Sequence, residues 1–138
     1  MKKIICFLFI VHLVSCSSNK KLVVAEPLFK IIKRNEGQGG SFKFYETITE
    51  NNEFSMLVND PDLKEILQPN DIKTANYALI NLGIKPDSGY TIKVFLESET
   101  TDKIVLKIIE VLPTLANSEP SSPLFIIKVN SKKNLELL

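Results

Sequence analysis

The chain has 138 residues, 44% of them hydrophobic and 24% charged, with 17 basic residues against 16 acidic ones. That length suits one domain with a core of its own, which at this size needs no disulfide or metal to hold together. The near balance of charge excludes the basic face that nucleic-acid binding requires, and Lys20-Lys21 and Lys132-Lys133 read as solvated pairs.

The first element is a targeting segment. Met1-Lys2-Lys3 is a short basic start, and Ile4 to Val14 is apolar apart from His12. The apolar run is too short to cross a hydrocarbon core, which takes about 20 residues, and has the proportions of a signal-peptide core. It ends in Leu13-Val14-Ser15-Cys16, which matches a bacterial lipobox. Small Ser15 fits the peptidase pocket beside the cut, and the Cys16 thiol forms the thioether to diacylglycerol. Residues 1–15 are therefore expected to be removed as a lipoprotein signal peptide, and Cys16 to carry acyl chains that anchor the mature chain.

Processing of this kind changes the chemistry available. Cys6 and His12 leave with the signal peptide, and Cys16 becomes the only cysteine. No internal disulfide, multi-cysteine metal site, Ser-His pair or Cys-His pair can then be built. Ser-Lys and paired-carboxylate arrangements stay possible, but no pair stands out from an ordinary surface. The expectation is a non-enzymatic protein with no cofactor and no metal.

Residues 16–26 read as a tether, and 27–138 as one globular domain. Ser17-Ser18-Asn19-Lys20-Lys21 is polar and patternless, and ten extended residues reach about 33–36 Å. In Gram-negative lipoproteins an aspartate after the lipidated cysteine usually retains the protein in the inner membrane. Ser17 stands there instead, which favours the outer membrane, and the lack of an acidic cluster favours its periplasmic face.

Leu28 to Arg34 is the first expected strand. Asn35-Glu36-Gly37-Gln38-Gly39-Gly40 reads as a hairpin turn into a second strand, Phe42 to Ile48, with Phe42, Phe44 and Ile48 on one face. The glycine cluster lacks the Gly-Lys-Ser/Thr ending of a phosphate loop. Phe54, Leu57 and Val58 fall at helical spacing behind Asn51 and Asn52 as cap candidates, and Asp60-Pro61 restarts a helical pattern carried by Leu63, Ile66 and Leu67. Asp60 and Asp62 lack a calcium-loop pattern and read as capping residues.

Strands dominate from Asn76 onward. Ala78, Ile80 and Leu82 alternate, and Lys85-Pro86-Asp87-Ser88-Gly89 turns the chain, with Pro86 presetting φ and Gly89 free to take a positive φ. Tyr90, Ile92, Val94 and Leu96 alternate next, and Tyr90 reads first as the start of that inward series. Ser98 to Asp102 is a turn. Ile104 to Leu112 is apolar on both phases and is expected to be central and covered on two sides. Pro113 to Pro123 is a polar loop with prolines at 113, 120 and 123, Leu124 to Val129 a buried strand, and Leu135 to Leu138 a short last one. The fold class is α+β: a mainly antiparallel meander or small sandwich of six or seven strands, with one or two short helices between 51 and 67. In a meander, the 84–89 turn and the 113–123 loop share one end, opposite the 98–102 turn. Lys85, Pro86, Asp87, Ser88, Gly89, Tyr90, Pro120 and Pro123 are the candidate partner-binding residues at that end.

Leu82-Gly83-Ile84-Lys85-Pro86-Asp87-Ser88-Gly89-Tyr90-Thr91-Ile92, followed by a paired strand, a proline-bounded loop and Pro123-Leu124-Phe125-Ile126-Ile127-Lys128-Val129, resembles the C-terminal domain of the PrcB-type protease-complex subunits. The resemblance covers residues 76–138. It departs from that family's usual Gly-Gly-Tyr, since Ser88-Gly89-Tyr90 stands here. It implies a lipid-anchored accessory subunit that binds, and stabilises, an extracytoplasmic protease. The alternative is a protease inhibitor acting through the same loops. The 85–89 turn is similar to the inhibitory loop of chagasin-like proteins only in its proline and glycine.

Overall fold

The computed structural model describes residues 26–115 and 119–138; the expected signal peptide, Cys16 and most of the tether lie outside them. In chain order the elements are β1 (Phe29–Asn35), β2 (Lys43–Ile48), α1 (Asn51–Val58), a single 3-10 turn (Asp71–Lys73), β3 (Asn76–Leu82), β4 (Thr91–Glu99), β5 (Lys103–Val111), β6 (Leu124–Val129) and β7 (Asn134–Leu137). The described residues are mainly antiparallel β, with seven strands in two sheets. The first sheet has the order β1-β6-β3-β2 and the second β4-β5-β7, where β7 runs parallel to β5.

Period-two alternation builds the core between the sheets. Ala78, Ile80 and Leu82 of β3, with Phe125, Ile127 and Val129 of β6, meet Ile92 of β4 and Ile104, Leu106 and Ile108 of β5. The opposite phase of the first sheet supplies Ile48, Tyr77 and Ile126, which are covered by Phe54 and Leu57 of α1 and by Leu63, Leu67 and Ile72. The first sheet is therefore buried on both faces at its centre, which is why β3 and β6 are apolar on both phases.

Several expectations are corrected. The glycine loop is not a hairpin turn. β1 pairs with β6 and β2 with β3, so β1 and β2 are opposite edges of one sheet, and residues 36–42 cross the ends of the two strands between them. Gly39 fits there because a Cβ would sit 2.5 Å from Ser122 O and nearer still to Asn81 Oδ1. Phe44 and Ile48 share a face, but Phe42 lies before the strand, α1 covers only the Ile48 end, and both phenylalanines are exposed. β5 is central, but its outer phase is only partly covered, with Val105 buried and Ile109 not. Ile109, on its outer phase, is exposed beside Lys93, its cross-strand neighbour, because among the described residues no helix packs on the second sheet.

Helix α1 begins one residue earlier than its asparagines suggest. Glu50 is the extended residue before it, and its carbonyl accepts the Phe54 N–H at 3.0 Å. Asp60 caps without nucleating a second helix. Its carbonyl oxygen accepts the N–H groups of Leu63 and Lys64, and its Oδ1 accepts that of Asp62 at 2.9 Å. Turns follow over 61–66 instead, an outcome consistent with the high cost of nucleating a short helix.

Candidate functional site

Of the three chain crossings between the sheets, 83–90 and the described residues of 112–123 lie at one end of the sandwich, and 130–133 at the other. The first two meet because β3 and β6 are antiparallel neighbours, so the end of one lies beside the start of the other. The main chains of Lys85 and Ser121 exchange N–H···O bonds of 2.8 and 3.0 Å, and Ser121 Oγ donates to Asp87 O at 2.7 Å. The glycine loop closes the same end. Gly39 N–H donates to Ser122 O, Ser122 N–H to Glu36 O and Ser122 Oγ to Gly40 O, at 2.7 to 2.9 Å. Asn81, fully buried, donates through Nδ2 to Gly40 O at 3.1 Å and to Phe42 O at 2.5 Å. The 98–102 turn is at the opposite end, where Lys133 Nζ donates to Glu99 and to Thr100 O.

Most of the candidate residues are at least partly buried. Lys85 Nζ lies 2.5 Å from Glu110 Oε1 and 5.3 Å from the centroid of the Tyr90 ring, so its charge is compensated by a carboxylate and an aromatic face. Tyr90 is buried in the core between the sheets, in agreement with its reading as the start of the β4 series. Gly89 adopts φ +90°, and its N–H donates to Glu36 Oε2 at 3.2 Å. Arg34 spans Glu36 and the Tyr90 carbonyl, with bonds of 2.7 and 3.2 Å. Pro123 is buried, and Asp87 and Ser88 are partly so. Of the eight candidates, only Pro86 and Pro120 are open to solvent.

The surface of this end is made by other side chains. Ile84 is 65% exposed, Leu112 71%, Leu115 85% and Phe42 82%. These are the large apolar side chains exposed in the loops of this end, where apolar surface is a candidate for contact with a partner. In the sequence, Ile84 and Leu115 stand outside the expected strands, whereas Phe42 and Leu112 fall within those expected over 42–48 and 104–112.

Two recesses lie elsewhere. One, about 190 Å³, is lined by Asn51, Phe54, Ser55, Val58, Asn59 and Pro69 beside α1. The other, about 430 Å³ and more polar, opens between β2 and β7, where Lys132 Nζ donates to Thr49 O and Asn76 Oδ1. Among the described residues, no group of three or more His, Cys, Asp or Glu is arranged to hold a metal ion, and no helix is long and apolar enough to cross a membrane. No protein-family model, no curated protein and no solved structure matches the chain.

Proposed function

We propose that the chain is a non-enzymatic, lipid-anchored envelope subunit that holds a protein partner at the loop end of its sandwich. By the resemblance to the PrcB-type subunits, the partner is an extracytoplasmic protease. One observation carries the reading. The described chain begins at the far end, where Asn130 Nδ2 donates to Pro27 O at 2.8 Å and Phe29 pairs with Val129. A tether to Cys16 would leave from there, and Ile84, Leu112, Leu115 and Phe42 would face away from the bilayer. A surface so directed is available to a partner and not to lipid.

The loop end is also braced. Glu110 binds Lys85 and accepts from Lys43 at 3.5 Å, linking the sheets, and the Lys85–Ser121 bridge fixes the two crossings to each other. Preorganisation lowers the ordering cost of association. The reading assigns no chemistry to the chain itself, since its one histidine is His12.

The test is cross-linking of the native lipoprotein in its own cells, with identification of the attached protein, repeated for Ile84→Asp and Leu115→Asp. The expected result is one envelope protease, lost in both variants. Attachment of no protein, or attachment unaffected by either variant, overturns the proposal. Titration of that protease with the purified chain then separates two roles: an inhibitor lowers turnover stoichiometrically, whereas a stabilising subunit prolongs the protease's lifetime.

A further inference from the structure

The four sheet edges are not alike. β1 carries a bulge between Ile31 and Lys33, with Lys30, Lys33 and Arg34 along it. β4 carries a bulge between Leu96 and Ser98, with Lys93, Glu97 and Glu99. β7 has only four residues. These are devices by which natural sheets discourage edge-to-edge pairing. β2 carries Lys43 and Glu46 but has no bulge and no proline, and keeps unbroken register with β3 over all six of its residues, from Lys43↔Leu82 to Ile48↔Tyr77.

The direction of its main-chain groups follows from the ladder. Leu82 N–H donates to Pro123 O, so the even-numbered residues of β3 bond towards β6 and the odd ones, Tyr77, Leu79 and Asn81, towards Ile48, Glu46 and Phe44. Lys43, Tyr45 and Thr47 therefore direct their N–H and C=O groups to the free edge. No strand of the described residues pairs there, since β7 bonds to β5.

This edge is complementary to itself. In an antiparallel pair centred on Tyr45, Lys43 lies opposite Thr47 and Phe44 opposite Glu46, so no like charges meet directly. The hydrogen-bonding residues of one strand fall opposite those of the other, and both members of each cross-pair sit on the same face. Lys43, whose Nζ is 5.5 Å from the ring of its own Tyr45, lies diagonal to the second Tyr45. Phe44, 43% exposed, gains the stem of Glu46 as cover.

We propose that β2 is a self-association edge, through which two copies of this chain join their four-stranded sheets about a two-fold axis at Tyr45. The proposal is independent of the protease-subunit reading. A single strand pair buries less than the roughly 1,200–2,000 Å² of a stable interface, so the dimer is weak, with dissociation on the order of tens of micromolar.

The test is sedimentation equilibrium of the full chain in density-matched detergent up to about ten times that concentration. Wild type is expected to dimerise. Phe44→Glu places a carboxylate opposite Glu46 twice per dimer and should weaken association by about tenfold or more. Adding Glu46→Lys to Phe44→Glu places opposite charges at both positions and should restore the dimer. In unmodified protein, the amides of Lys43, Tyr45 and Thr47 should exchange with solvent more slowly as concentration rises, a readout that needs no variant to fold. A wild type monomeric throughout overturns the proposal. So do a folded Phe44→Glu chain that dimerises as before, a folded double variant that stays monomeric, and exchange at those amides that is independent of concentration.

Discussion

Lys33 donates to Asp60 Oδ2 at 2.7 Å across the outer face of the first sheet, with only 5% of its side chain exposed. Asp62 lies 3.1 Å from the same ammonium. The contact clamps the turns after α1 onto β1, where the bulge at Ile32 swings Lys33 to that face. The hydrogen bond from Lys33 holds the Asp60 carboxyl below its ordinary value, against burial that pushes it up. Burial alone would lower Lys33, but hydrogen bonds to Asp60 and Asp62 outweigh it and leave Lys33 above its ordinary value.

Those directions set a pH dependence. A depressed carboxylate contributes stability that is complete above its unfolded value, near pH 4, and is lost as pH falls through its folded value. A raised ammonium contributes stability that is complete below its unfolded value, near 10.5, and is lost as pH rises through its folded value. The clamp therefore acts fully across the neutral range and fails on the acid side first. Asp60→Asn should cost about 1–3 kcal/mol at pH 7, because it leaves a buried ammonium under-compensated. Urea midpoints measured between pH 7 and pH 3 should fall less steeply in that variant. Parallel slopes in variant and wild type would show that Asp60 is not the titrating group.

Gly39→Ala tests the closure of the loop end. The added methyl would meet Asn81 Oδ1 and both oxygens of Ser122 well inside van der Waals contact, and all three atoms belong to groups already held by hydrogen bonds. Overpacking of this kind costs about 1–3 kcal/mol. Gly37→Ala, where nothing lies within 4 Å, is the control and should change stability by less than about 0.5 kcal/mol. Thermal melts of the two variants should separate clearly. Equal melting points would mean that the 36–42 loop does not lie across β3 and β6.

The inward phases were legible because they depend on one strand at a time. Ala78, Ile80 and Leu82, or Ile104, Leu106 and Ile108, declare their face by alternation alone. Pairing was not legible where it is non-local. β1 bonds to β6 across about a hundred residues of chain, and nothing in Asn35–Gly40 distinguishes a hairpin from a crossing loop. β5 misled for a related reason. Its second apolar phase resembles that of a strand buried on two sides, but the exposed Ile109 has Lys93 beside it and no layer above. At the loop end the location was readable and the roles were not. Lys85 and Tyr90 are polar by type, and only the fold brings Glu110 and Ser121 to hold that turn inward, leaving Ile84 and Leu115 outside.

Tyr77→Phe should be neutral or stabilising by up to about 1 kcal/mol. The Tyr77 ring stacks on Phe54 with centroids 4.7 Å apart, and its hydroxyl is buried with no hydrogen-bond partner among the described residues. Burial, with Asp71 nearby adding to it, drives the phenol's pKa strongly upward, so the hydroxyl stays neutral and unsatisfied. Removing it deletes a desolvation cost and keeps the ring contact. Phe54→Ala, by contrast, should lose about 3–5 kcal/mol, since it empties the centre of the cluster under α1. Denaturant midpoints of the two variants should move in opposite directions, or only the second should move. A loss above about 1 kcal/mol in Tyr77→Phe would mean that the hydroxyl has a partner, such as ordered water.

Cys16→Ala is the decisive variant for the proposed anchor. Acyl chains contribute about 0.8 kcal/mol per buried methylene, and two or three of them bind a bilayer stably where one binds marginally. Without the thiol no thioether forms, and the signal peptide is not released by the lipoprotein route. Wild type should fractionate with the membranes, resist extraction by salt and incorporate labelled palmitate. Cys16→Ala should incorporate none, and its folded domain, once freed by a protease site placed within 17–25, should be found in the soluble fraction. Lys20 and Lys21 are the only charges between Cys16 and Glu26, and two lysines supply only about 2 kcal/mol of attraction to an anionic surface, which salt removes. A cleaved domain that stays with the membranes in high salt would therefore place its attachment in the sandwich and not at Cys16.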